Sequence, residues 1–157
     1  MYHIGMTQWI VGDEPLEVSC ERMQRYGYDG IEFAAEPYSL DCRSLCGIFG
    51  EDRDLTDAGS AGRRAVQYLK DSTDFAVRVG AKIIIVVPSP VGRTAKPEGV
   101  SVEELTENAV KNIREAADYA EQKGVRFAIE AINRYETWFV NTLSKAMEFV
   151  NRVDHPA

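Results

Sequence analysis

Three times along this chain an amphipathic helical stretch closes on a glycine and passes within a residue or two into a short apolar run. The instances are Gly27-Tyr-Asp-Gly-Ile-Glu-Phe, Gly80-Ala-Lys-Ile-Ile-Ile-Val and Gly124-Val-Arg-Phe-Ala-Ile-Glu. Glycine suits the left-handed conformation just past a helix end. Near-continuous apolar strands are the mark of a parallel sheet covered on both faces. The alternation therefore predicts successive βα units. Strands are expected over residues 2–6, 30–34, 45–49, 82–87 and 126–131, and helices over 13–26, 61–79, 101–124 and 142–153.

The third helix is the most sharply written. Ser101 and Glu104 have the spacing of a capping box, in which the serine hydroxyl accepts from a backbone N–H that the first helical turn leaves unpaired. Leu105, Ala109, Ile113, Ala116 and Ala120 then recur every three or four residues as a core-facing stripe. The last helix presents Ala146, Phe149, Val150 and Val153 on one side. Residues 88–99, rich in proline and glycine, follow neither period and read as a loop.

One joint departs from the pattern. Parallel strands need a crossover of a dozen residues or more, yet only ten residues, among them Pro37, run from Ala35 to Ser44. The expected fold is therefore α/β with about five parallel strands, a single domain over residues 1–157, and no helix between strands 2 and 3.

Composition narrows the function classes. The chain has 157 residues, enough for one domain with a real core. Its formal net charge of -7 opposes attraction to phosphate backbones or anionic lipid, so neither nucleic acid nor a membrane is an expected partner. The N-terminus lacks the basic and long apolar regions of a secretory signal, and the three cysteines lack zinc-site spacing, so a reducing, cytoplasmic setting is expected. With only His3 and His155 present, catalysis must rest mostly on carboxylates.

The stretch Glu130-Ala-Ile-Asn-Arg-Tyr-Glu-Thr-Trp-Phe-Val-Asn-Thr142 sets two carboxylates, Glu130 and Glu136, six residues apart at the end of an apolar strand, which Glu130 closes. In a (β/α)8 barrel that is the catalytic end. An ordinary strand-end glutamate paired with an arginine is the competing reading of Glu130. The stretch resembles, nearly position for position, the motif Glu-x-x-Asn-Arg-(Tyr/Phe)-Glu…Asn-Thr of the ketose 3-epimerases, in the sugar phosphate isomerase/epimerase superfamily with a xylose isomerase-like TIM barrel. Looser likenesses are Tyr28-Asp-Gly-Ile-Glu32 to that family's second strand and Leu45-Cys-Gly-Ile-Phe-Gly50 to its third.

The resemblance implies that Glu130 is both a ligand of a divalent ion, Mn²⁺ or else Mg²⁺ or Co²⁺, and a carboxylate that moves a proton on the carbon beside a ketose carbonyl. Glu136 would bind substrate hydroxyls, with Glu32 at the barrel mouth and Trp9 as an apolar wall on the rim. For Glu32 an exposed strand end, and for Trp9 plain packing, are equal alternatives. Asn133 and Arg134 are expected to hold the loop, and Asn141 and Thr142 to cap the last helix. Arg93 and Lys96 are cations suited to a sugar phosphate, or a solvated loop.

The family's remaining ligands, an aspartate, a histidine and a glutamate on strands 6 to 8, have no counterpart here, so the likeness covers about five eighths of a barrel. One carboxylate does not hold a hard cation tightly, and the ion is expected to be weak or absent in this chain alone. Three functions follow as expectations: a metal-dependent isomerase or epimerase of a ketose or ketose phosphate, in truncated form; an inactive barrel fragment that serves as an assembly module; and, less favoured, an endonuclease IV-like repair enzyme. Open sheet edges imply a homo-oligomer or a complementary C-terminal half.

Overall fold

The computed structural model describes residues 5–7, 15–28, 30–32 and 42–157. In chain order the elements are β1 (Gly5–Thr7), α1 (Leu16–Tyr26), β2 (Gly30–Glu32), β3 (Ser44–Cys46), α2 (Ser60–Val79), β4 (Ile83–Val86), α3 (Val102–Gln122), β5 (Arg126–Ile129) and α4 (Leu143–Val153). All strand pairs are parallel: β1 with β2, β3 with β4, and β4 with β5. The fold is the expected α/β arrangement of a partial barrel, with β4 central to the second sheet. The segment in which a helix is expected to be missing, residues 35–44, lies mostly outside the described residues.

Helix boundaries follow the local chemistry. Gly27 and Gly80 take φ of 77° and 81° and turn the chain out of α1 and α2, a conformation a Cβ would strain. The Ser101 hydroxyl accepts from the Glu104 N–H at 3.0 Å, and the Thr142 hydroxyl from the Lys145 N–H at 3.2 Å. All five residues of the α3 stripe are buried. The stripe of α4 is narrower than its spacing suggests: Ala146, Phe149 and Val153 are buried, whereas Val150 is 43% exposed.

Strands are shorter than the apolar runs. The third ends at Cys46, and the last bond of its ladder comes from the next residue, the Gly47 N–H donating to the Ile85 carbonyl at 2.9 Å. A Cβ on Gly47 would stand 2.6 Å from that oxygen. Burial also differs from two-sided cover: in β4, Ile84 and Val86 are fully buried but Ile83 is 41% exposed. One face of the sheet packs on α2 and α3, through Leu45, Leu69, Ala109, Ile113, Ala116 and Val125. The other face is only partly covered among the described residues.

Polar ties lock the helices to the loops above the sheet. On α3 the Asn112 amide donates to the carbonyls of Leu55 (2.8 Å) and Asp57 (3.0 Å), and the Asn108 amide to that of Thr56 (3.2 Å). The Asp57 carboxylate in turn accepts from the Ala61 N–H at 2.9 Å, at the start of α2. Gly62 fits this junction because it has no side chain: a Cβ there would lie 1.9 Å from the Asp57 carbonyl oxygen and 2.8 Å from Asn112 Nδ2. Alanine is worth about 1 kcal/mol more than glycine inside a helix. At this position the clash should outweigh that gain, and Gly62→Ala is expected to destabilise the protein by about 1–3 kcal/mol. Urea unfolding checks this; a raised midpoint would refute the packing argument.

Candidate functional site

β3, β4 and β5 run parallel, so their C-terminal ends and the loops that follow share one side of the sheet. A cleft of about 570 Å³ opens there, lined by Cys46, Ile48, Phe49, Val87, Val91, Glu130, Ile132, Asn133 and Glu136 among others. Glu130 is expected to close a strand over 126–131, but β5 ends at Ile129, so Glu130 stands one residue beyond it. Its N–H donates to the Val86 carbonyl at 2.9 Å, so the parallel ladder still fixes its backbone. Its side chain is exposed on the cleft.

The loop that follows is built by its own asparagines. Asn133 Oδ1 accepts from the Tyr135 N–H at 2.9 Å, an Asx turn, while the Asn133 carbonyl accepts from the N–H groups of Glu136 (3.0 Å) and Thr137 (3.2 Å). The Asn133 amide also donates to Glu136 Oε2, which brings the second carboxylate back over the cleft. Asn133 thus holds the loop as expected, whereas Arg134 is exposed. Asn141 donates to the carbonyls of Thr137 (3.1 Å) and Trp138 (3.2 Å), and Thr142 caps α4.

Three residues in a row on the β4 loop tie this arm to its other neighbour. The Val91 N–H donates to the Phe49 carbonyl at 3.0 Å, the Gly92 N–H to the Glu136 carbonyl at 2.7 Å, and the Arg93 carbonyl accepts from the Trp138 N–H at 3.0 Å. Beneath them the hydroxyls of Ser89 and Thr137, both buried, meet at 2.6 Å.

Arg93 and Lys96 are not arranged for a phosphate. The Arg93 guanidinium binds both oxygens of Glu51 and one oxygen of Asp54. Lys96 donates to the carbonyls of Pro97 and Val100. This carboxylate clasp was not legible from spacing, because its partners lie about forty residues apart. Asp54 is buried and also accepts from the N–H (2.9 Å) and hydroxyl (2.7 Å) of Thr56.

Of the other expected site residues, Glu32 ends β2, its backbone level with Thr7 in β1, and Trp9 lies outside the described residues. Among the described residues, no three His, Cys, Asp or Glu side chains gather to hold a metal ion. Nor, among them, is any helix long and apolar enough to cross a membrane.

Comparisons with known proteins agree on the fold. The family model described as the xylose isomerase-like TIM barrel matches residues 20–157. The D-psicose 3-epimerase of Ruminiclostridium cellulolyticum is 43% identical over 49 residues, 31% of this chain and 17% of that protein. The L-ribulose 3-epimerase of Methylomonas sp. is 28% identical over 149 residues, 84% of this chain and 51% of that protein. The chain thus spans about half the length of the latter. A D-allulose 3-epimerase from Methylomonas sp., solved in complex with D-allulose, has a TM-score of 0.78 at 24% identity, over 98% of this chain and 59% of that one. The IOLI protein, solved with a zinc atom, has a TM-score of 0.72 at 21% identity, over 98% and 60%. At these identities the solved structures show the shared fold.

The clasp carries a pH signature. Hydrogen bonds from Arg93 hold the Glu51 carboxyl below its ordinary 4.5. A lowered folded-state value means that the stabilisation is complete above the unfolded value and is lost as pH falls through the folded one. Glu51→Gln should therefore flatten the acid side of a stability profile, measured by urea unfolding between about pH 6 and about pH 3. A profile as steep as that of the unaltered protein would remove Glu51 from the acid response.

Proposed function

Because the chain belongs to the xylose isomerase-like TIM barrel family, we propose that it supplies the Glu130 side of a sugar isomerase/epimerase active site, within one incomplete barrel domain over residues 1–157. The observation that carries this reading is the placement of Glu130 and Glu136 on one cleft at the C-terminal ends of β3 to β5. Glu130, its backbone held by Val86, takes or returns the proton on the carbon beside the ketose carbonyl. Glu136, steadied by Asn133, accepts hydrogen bonds from substrate hydroxyls and orients the sugar. Ile48, Val87 and Val91 give the cleft an apolar wall on one side. Glu32 and Trp9 join the far rim in this reading.

Relatives named for psicose, ribulose and allulose support a ketose as the substrate class. A divalent ion suits Glu130 as an oxygen donor, but the described residues do not fit one by themselves, since a hard cation wants about six oxygens. No step is assigned to it. The missing ligands would have to come from elsewhere.

A further βα unit beside β5, in the same polypeptide or in a complementary one, is where this reading finds them. On α4, Leu143, Met147 and Val150 are 81%, 60% and 43% exposed and fall within one flank at i, i+4 and i+7. Helix geometry places that flank opposite Arg152, which bonds Glu103 on α3. β5 pairs with β4, and its Phe127 N–H also donates to the Ala157 carbonyl at 2.7 Å. A further parallel βα unit, strand beside Phe127 and helix on the α4 flank, would meet both features. The same surfaces favour the assembly-module reading if no chemistry is found.

Two outcomes test this. Mixed with a separately produced polypeptide of strands 6 to 8 from the L-ribulose 3-epimerase of Methylomonas sp., the chain should form an equimolar complex by sedimentation velocity, and Leu143→Asp with Met147→Lys should abolish it. A complex unaffected by the double substitution would remove the α4 flank from the interface. In the assembled protein, exchange of the ketose C–H into D₂O, followed by NMR, should fall about 100-fold or more in Glu130→Gln. Exchange at an unchanged rate would take Glu130 out of the chemistry.

A further inference from the structure

Three loops wall the cleft, following β3, β4 and β5, and their mutual backbone bonds all pass through residues 91–93. Three single hydrogen bonds between loops, each worth about 1 kcal/mol net, are weak support for a catalytic wall. The side chain of Arg93 is the stronger tie. Its guanidinium offers five donors in a planar fork, so it can engage two carboxylates at once, which a lysine ammonium cannot match in geometry. Here it spans Glu51, whose side chain is 70% exposed, and Asp54, whose side chain is 4% exposed.

The buried partner makes the tie strong. Asp54 accepts from Thr56 within its own loop, and Arg93 is the cation that compensates its charge. A buried carboxylate stripped of its cation is costly, so the Arg93 backbone is held wherever Asp54 sits. Asp54 itself is set by the loop that Asn108 and Asn112 of α3 bind through the carbonyls of residues 55–57. The chain of constraint runs from α3 to the β3 loop, through the guanidinium to the β4 loop, and across Gly92 and Arg93 to Glu136 and Trp138.

We propose that Arg93 is a positioning residue for the Glu136 arm: it fixes the backbone of residues 92–93, which bonds Glu136 and Trp138, and so sets where the second carboxylate stands relative to Glu130. Its importance for the chemistry rests on the reading that Glu136 receives the sugar; its effect on the arm does not.

The amides of Val91, Gly92 and Trp138 each report one bond between loops, and hydrogen exchange followed by NMR reads them in the sugar-free chain. In Arg93→Ala, exchange at Gly92 and Trp138 should rise about tenfold or more, while the amides of β4 and the middle of α3 keep their protection. Arg93→Lys should restore part of it. Trp138 gives a second readout: on a Trp9→Phe background it is the only tryptophan, and its emission should shift in Arg93→Ala. If Arg93→Ala does not fold, Glu51→Gln removes one arm of the fork without stranding a buried charge, and a smaller rise at the same two amides is expected. Unchanged exchange at Gly92 and Trp138, or an equal rise throughout the molecule, would overturn the proposal. Ketose titration of the assembled protein tests the functional reading separately, so either can fail while the other stands.

Discussion

The backbone bond from Glu130 N–H to the Val86 carbonyl is the constraint on which the cleft depends. It is the last rung of the β4–β5 ladder and places the carboxylate on a framework rather than on a free loop. β4 is in turn paired on both sides and buried at Ile84 and Val86, so it is the least movable strand of the sheet. Glu130 thus begins where the paired framework ends. That is where a parallel α/β fold can combine a fixed origin with an adaptable reach.

Beyond that rung three separate sets of polar ties hold the loops above the apolar core: the Ser89–Thr137 pair, the two α3 amides on the carbonyls of residues 55–57, and the Arg93 fork on Glu51 and Asp54, while the buried Trp138 indole N–H has no partner among the described residues. A buried group left unpaired in a low-dielectric setting costs more than a pair contributes. The consequence for chemistry is that the cations of the β4 loop are committed internally. Among the described residues, what faces the cleft is carboxylate, amide, thiol and hydrocarbon.

Much of this was legible along the chain, and the rest was not, for physical reasons. The stripe of α3, its serine cap and the glycines that end α1 and α2 are local rules, and the structure obeys them. The strands are shorter than the apolar runs because such a run records burial, whereas a strand ends where pairing ends; the β3 ladder makes its last bond at Gly47, while Phe49 beyond it remains buried. Val150 has the spacing of the covered side yet is 43% exposed, because nothing among the described residues packs on that flank of α4. Glu130 and Glu136, which the motif singles out, line one cleft. The Arg93 partners were not legible, since nothing in a sequence says which of 25 acidic residues a given guanidinium will meet. Asn108 and Asn112, four apart beside a buried stripe, were the one overlooked clue to the polar ties.

The burial of Asp54 under a cation borrowed from another loop also orders the mutational paths open to this protein. Losing the arginine first strands a negative charge in the interior; losing the aspartate first leaves a guanidinium that can still bond Glu51 or swing into water. Drift at these two sites should therefore be strongly epistatic and directional, with the acidic position changing before the basic one. Lineages that have abandoned the pair would then tend to carry a neutral residue at the first site, and only sometimes at the second.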